Sequence, residues 1–200
     1  AALVKIARPR EDVRFWDPFC GSATIPLEAA LLMTNTAPGL NRPFAAEKYA
    51  FLDKGIWVRA REEANEKIIR DSSFAAFASD IDRNVLKTAS ANVRRAGMEK
   101  YVKVFQKDAL SLSSDGVRTT IVCNPPYGER LDSLREARDL YRKMGQVFPK
   151  LSPWQMYFIT SEEDFERLYG KKADKVRKLY NGMIKCNYYQ YFKRDGAHKA

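Results

Sequence analysis

Histidine is almost absent, with His198 alone in 200 residues, and cysteine is scarce, with Cys20, Cys123 and Cys186 widely spaced and odd in number. That scarcity argues against a zinc centre and against a disulfide framework, and a reducing, cytoplasmic setting is expected. No stretch approaches the roughly 20 apolar residues of a membrane span, and no signal peptide opens the chain. The dinucleotide fingerprint G-x-G-x-x-G is missing. An initiator methionine is missing too. Residues 1–12 open as Ala1-Ala2-Leu3-Val4-Lys5-Ile6-Ala7 and read as the tail of a helix, so residues 1–200 are expected to be one domain excised from a longer protein.

Positive charge is plentiful. Lys and Arg outnumber Asp and Glu by 35 to 25, a formal net charge of +10 that favours a polyanionic partner. The excess is concentrated: from Glu166 to Ala200 there are ten Lys or Arg against three acids. Tyr169, Tyr180, Tyr188, Tyr189, Tyr191 and Phe192 are interleaved with Lys171, Lys172, Lys175, Arg177, Lys178, Lys185, Lys193 and Arg194. Aromatic plus basic is the composition of a nucleic-acid face, although a solvated face over ordinary core tyrosines has the same letters.

The most informative stretch is Thr119-Thr120-Ile121-Val122-Cys123 followed by Asn124-Pro125-Pro126-Tyr127. A β-branched run reads as a buried strand, and two prolines force the chain to turn at its carboxyl end, where open α/β sheets bind ligands. Asn124 offers a side-chain oxygen, Pro125 a carbonyl and Tyr127 a stacking face. Such a set suits a planar amine: hydrogen bonds from its two N–H groups favour a pyramidal nitrogen with a free lone pair.

Val13-Arg14-Phe15-Trp16 reads as the first strand, Asp17-Pro18-Phe19-Cys20-Gly21-Ser22-Ala23-Thr24 as a turn, and Ile25 to Met33 as a helix. An acid at that strand end would repel a pyrophosphate and suits a cation. Residues 35–70 look like an insertion whose composition assigns it no role. Phe74 to Ser79 reads as the second strand, ending in Asp80-Ile81-Asp82, where α/β folds grip a ribose; Asp82 is equally well placed to cap the next helix. Tyr101 to Gln106 forms a third strand before Asp108 and Ala109, and Asp108 could accept from an adenine amino group. Ser133-Leu134-Arg135-Glu136 has the form of a capping box, opening a helix that Pro149 ends. Met156 to Thr160 is a fifth strand, and Ser161 and Asp164 are expected to cap a short helix. Val176 to Tyr180 and Met183 to Phe192 flank Asn181-Gly182 as a hairpin. The sum is an α/β fold with a mostly parallel sheet closed by an antiparallel pair.

In this order and spacing, the Asp17 to Thr24 loop, Ala37-Pro38-Gly39-Leu40, Ser79-Asp80-Ile81-Asp82, Asn124-Pro125-Pro126-Tyr127-Gly128-Glu129-Arg130 and Leu179-Tyr180-Asn181-Gly182 resemble the THUMP-associated RNA methyltransferases. These are Rossmann-like class I S-adenosylmethionine-dependent enzymes that modify the N2 amine of guanine, and the chain is most similar to those acting on large-subunit (23S) ribosomal RNA. The resemblance implies seven strands with helices on both faces, S-adenosyl-L-methionine as cofactor and RNA as partner. It implies that residues 17–24 wrap the methionine part of the cofactor with Asp17 near its amino group. Asp80 or Asp82 would take the ribose beside Ile81, and Asp108 with Ala109 the adenine. Asn124, Pro125, Pro126 and Tyr127 would hold the target base. Ala23 departs from the family, which usually has glycine there, and the loop is expected to sit slightly differently. The family's upstream THUMP module does not fall within these 200 residues.

Other readings compete. The same loop serves adenine N6 methylation in DNA or RNA and glutamine methylation in release factors; a catalytically inert RNA-binding module is a third. A nucleophilic Cys20 would need a partner base, and none is visible near it in sequence.

Overall fold

In a computed structural model, which describes residues 1–127 and 131–192, seven strands form one sheet in the order β3-β2-β1-β4-β5-β7-β6. They are β1 (Arg14–Asp17), β2 (Ala76–Asp80), β3 (Val102–Gln106), β4 (Thr119–Cys123), β5 (Trp154–Thr160), β6 (Lys175–Asn181) and β7 (Ile184–Tyr191). The first five are mutually parallel; β7 runs antiparallel to both β5 and β6. The helices are α1 (Ala2–Ala7), α2 (Thr24–Met33), α3 (Gly55–Glu66), α4 (Arg83–Arg95), α5 (Leu131–Val147) and α6 (Phe165–Tyr169).

Alternation along the strands divides the core between the two faces of the sheet. Phe15, Ala76, Ala78, Val122, Tyr157 and Tyr188 pack with α1, α2 and α4. Trp16, Ile121, Cys123, Phe158 and Tyr189 pack with α5 and α6. Every residue of the central strand β4 is buried, as a strand covered on both faces requires. Gly145 lets α5 lie against α6, since a Cβ there would collide with the Tyr169 carbonyl. Within the insertion, α3 has no buried residue; it is tied down by the Phe44–Trp57 stack and the Arg61–Glu47 ion pair.

Three local expectations shift. α5 begins at Leu131, so Ser133 lies inside its first turn and the proposed capping box is not the helix start. Asp164 precedes α6 but its carboxylate pairs with Arg167 instead of capping. The hairpin moves by one residue: Asn181 belongs to β6 and pairs with Ile184, leaving Gly182 and Met183 as the loop. Gly182 has φ +60° while Met183 is not among the positive-φ residues, the pattern of a II′ turn with glycine first. Gly128, Glu129, Arg130, Lys193, Arg194 and His198 lie outside the described residues.

Candidate active site

Strand order makes β2, β1 and β4 neighbours, so their carboxyl ends bring Asp80, Asp17 and Asn124 to one edge. The register sets their heights. Asp17 is level with Ala78, and Trp16 with Ile121, so Asp80 and Asn124 each stand two residues higher than Asp17, about 7 Å on either side of a notch.

Asp17 forms the floor. It is 1% exposed, and its Oδ1 accepts from the Phe19 N–H at 3.0 Å. Burial pushes its pKa up to about 8; that hydrogen bond opposes the rise and the Asp80 charge adds to it. Among the described residues no basic side chain pairs with it. Two carboxyl groups converging on one notch fit a positively charged ligand, whose arrival would favour the deprotonated form of Asp17.

The loop from Pro18 to Ala23 is held from β2 and α4. The Cys20 N–H donates to the Ser79 carbonyl at 3.0 Å, the Gly21 N–H to Asp80 Oδ2 at 3.1 Å, and the Asn92 side-chain amide to the Ser22 carbonyl at 3.0 Å. The Ser22 and Thr24 hydroxyls lie 3.0 Å apart at the start of α2. Pro18 is buried and Phe19 half-buried. Ala23, fully buried, has φ +63°, a left-handed conformation that explains why glycine is the easier residue there. Cys20 is buried beside Asp17 and Asp80, and burial foremost pushes its thiol up to about 12, so it stays protonated and is no nucleophile.

The two acids flanking Ile81 separate in role. Asp82 caps α4, its Oδ1 accepting from the Asn84 N–H at 2.7 Å. Asp80 accepts from Asp82 N–H and Gly21 N–H, both at 3.1 Å, and each of its oxygens retains a lone pair. Ile81 between them is 64% exposed. Asp108 is exposed and accepts from the Leu110 N–H at 2.8 Å at the head of the Ala109–Ser111 turn; Ala109 is buried.

Asn124 is exposed, and its side chain has no hydrogen-bond partner among the described residues. Pro125 is buried and Pro126 exposed. Tyr141, fully buried on α5, donates its hydroxyl to the Pro126 carbonyl at 2.8 Å and lies 2.9 Å from Thr160 Oγ1. The first bond ties the proline turn to α5, and the second ties the same hydroxyl to the end of β5. Tyr127 packs against the α5 side of the core and borders a cleft of about 450 Å³ lined also by Leu134, Arg138, Ser161 and Glu162. A hollow of about 390 Å³ lies elsewhere, between α1, α2 and residues 35–38.

Sequence reasoning missed Tyr141, Ser79 and Asn92 as supports of the site. For Tyr141 a signal existed: a tyrosine in an apolar helical stripe must find its hydroxyl a partner once buried.

A family model for the RMKL-like methyltransferase domain matches residues 1–190. The chain is 43% identical over 194 residues to YpsC of Bacillus subtilis (strain 168), provisionally named an RNA methyltransferase; the match covers 97% of the chain and 50% of YpsC. It is 38% identical over 190 residues to the ribosomal RNA large subunit methyltransferase K/L of Hahella chejuensis (strain KCTC 2396), covering 90% of the chain and 26% of that protein. Among solved structures, SMU.472, provisionally assigned as a methyltransferase and complexed with SAH, superposes with a TM-score of 0.90 at 37% identity, over 96% of this chain and 51% of that one. The chain thus spans half or less of the length of these curated relatives.

Proposed function

The chain belongs to the RMKL-like methyltransferase domain family, and from that premise we propose that it methylates the exocyclic N2 amine of a guanine in RNA, with large-subunit ribosomal RNA as the substrate. Its cofactor is S-adenosylmethionine, which supplies an activated methyl on a sulfonium. The residues fit such a group: Asp17 pairs with the amino group, Asp80 takes the ribose hydroxyls, and the exposed Ile81 with Asp108 and Ala109 meets the adenine. Asp82 is spent on α4.

The observation that carries the reading is the exposed Asn124 amide at the end of β4, without a hydrogen-bond partner among the described residues and two residues above the buried Asp17. Asn124 and the Pro125 carbonyl accept from the two N–H groups of the target amine, and Tyr127 stacks on its ring, worth about 1–3 kcal/mol. Asn124 is no base at neutral pH, so the amine proton passes to water once the methyl has moved. Catalysis is by positioning. Extruding the base costs a few kcal/mol, offset by stacking and by phosphate contacts. Naming of the relatives and the basic C-terminal third support RNA over a protein substrate. A THUMP module elsewhere in the parent protein would select the target.

The test is labelled methyl transfer to deproteinised large-subunit rRNA, DNA and release factor in parallel, followed by nucleoside analysis. N2-methylguanosine in the rRNA is expected; N6-methyladenosine, or label in DNA or protein alone, overturns the assignment.

A further inference from the structure

The β6–β7 hairpin exposes apolar side chains that the proposed chemistry does not use. Met183 is 98% exposed, Tyr180 68% and Ile184 43%. Cross-strand pairing puts Tyr180 on the same face as Lys185, and alternation puts Ile184 on the opposite face with Leu179 and Cys186. Met183 sits in the loop between them. Apolar groups on both faces and at the apex make a wedge that cannot be hidden by leaning the ribbon to either side.

The register shows where this wedge points. Thr160, the last residue of β5, pairs with Asn187, and β7 begins at Ile184, three residues further out. The ribbon therefore rises about 10 Å beyond the end of β5, over the same edge that carries Asn124 and two strand spacings, about 10 Å, from β4. Along its outer strand Lys175, Arg177 and Lys178 are exposed and make no ion pair among the described residues, whereas Lys185 is paired with Glu163 at 2.8 Å. Lys178 stands level with Asn187, and Arg177 and Lys175 lie one and three residues further from the tip, so cations along the shaft below an apolar tip complement a polyanion with stacking bases.

We propose that Met183, with Tyr180 and Ile184, is a wedge that enters the RNA base stack beside the target nucleotide. It holds open the gap left by the extruded base while Lys178, Arg177 and Lys175, in order down the ribbon, take phosphates further along the RNA. Apolar side chains between base steps are an established means of unstacking them. The inference rests on RNA being the substrate, and commits to RNA, not a protein, as the occupant of the tip.

Met183→Gln keeps the side-chain length and removes its apolar character; Met183→Leu keeps the apolar character. With full-length protein and deproteinised large-subunit rRNA from cells lacking the gene, kcat/KM is expected to fall tenfold or more in Met183→Gln and Tyr180→Ser. It should return to within threefold of wild type in Met183→Leu. Melting temperature, S-adenosylmethionine affinity and the salt dependence of RNA binding should not move in the Met183 variants. Wild-type kcat/KM in Met183→Gln overturns the wedge and leaves the RNA assignment standing. An effect seen only on intact large-subunit particles assigns the tip to a protein and also overturns it. No transfer to rRNA by the wild-type protein overturns both readings.

Discussion

A carboxylate raised to about 8 by burial holds a proton through the neutral range, and Asp17 is such a group. Between its ordinary value of 3.8 and about 8, the unfolded chain binds fewer protons than the folded one, so this group lowers the stability of the ligand-free protein as pH rises through that window. The proposed pairing with the cofactor's ammonium needs the deprotonated form. Cofactor affinity should therefore climb close to tenfold per unit between pH 6 and 7.5, with about one proton released per molecule bound. Calorimetry in buffers of different ionisation heat measures both, and Asp17→Asn should flatten the profile. On the proposed mechanism, Asn124→Ala removes an acceptor used only by the target amine. Its kcat should drop about 100-fold or more while the cofactor Kd stays within twofold of wild type. At Ala23, relief of left-handed strain, about 1–2 kcal/mol, opposes loss of a buried methyl, about 0.8 kcal/mol, and the greater freedom of an unfolded glycine. Ala23→Gly should thus shift the melting temperature by no more than a few degrees.

The proline turn after β4 works only because α5 anchors it. Tyr141→Phe keeps the ring packed and strips the hydroxyl from the Pro126 carbonyl and Thr160, leaving buried polar groups short of a partner at a cost of about 1–3 kcal/mol. Each kcal/mol lowers the melting temperature of a domain this size by about 2–4 °C. Beyond that loss, kcat should fall with cofactor affinity unchanged, a split that simple destabilisation would not produce. The elements themselves were largely legible. β4 reads as a continuous β-branched run because both of its faces are buried, and α4 shows its Leu86, Ala89 and Val93 stripe because only one face is. Helix starts were less legible. Ser133 and Glu136 satisfy the capping pattern, yet α5 begins at Leu131, and Asp164 prefers Arg167 to the backbone. In the hairpin, Asn181-Gly182 signals a turn but not which pair occupies it; the packing of Leu179 and Cys186 against the core, and the exposure of Tyr180, choose the register.

Across the whole molecule the sheet does two things: it gathers three acceptor-bearing strand ends on one edge, and it closes with a basic ribbon on the same side. If that ribbon meets phosphates, RNA affinity should fall with salt by about 0.7–0.9 log units per log unit of salt for each phosphate neutralised. Replacing Lys175, Arg177 and Lys178 together by Gln should then reduce the slope by about 2. A slope unchanged by the triple replacement would remove the ribbon from the RNA interface. The sequence alone determined the class of fold, the family motifs and the acids and amide at the strand ends, because strand periodicity, proline and glycine act locally and leave their mark in neighbouring letters. Only the tertiary structure decided that Asp82 serves the helix while Asp80 faces the loop, that Asp17 is buried, that Tyr141 braces the proline turn and that Met183 stands at the tip. Each of these depends on which strands lie side by side and in what register, and such long-range pairing is set by burial across the whole sheet.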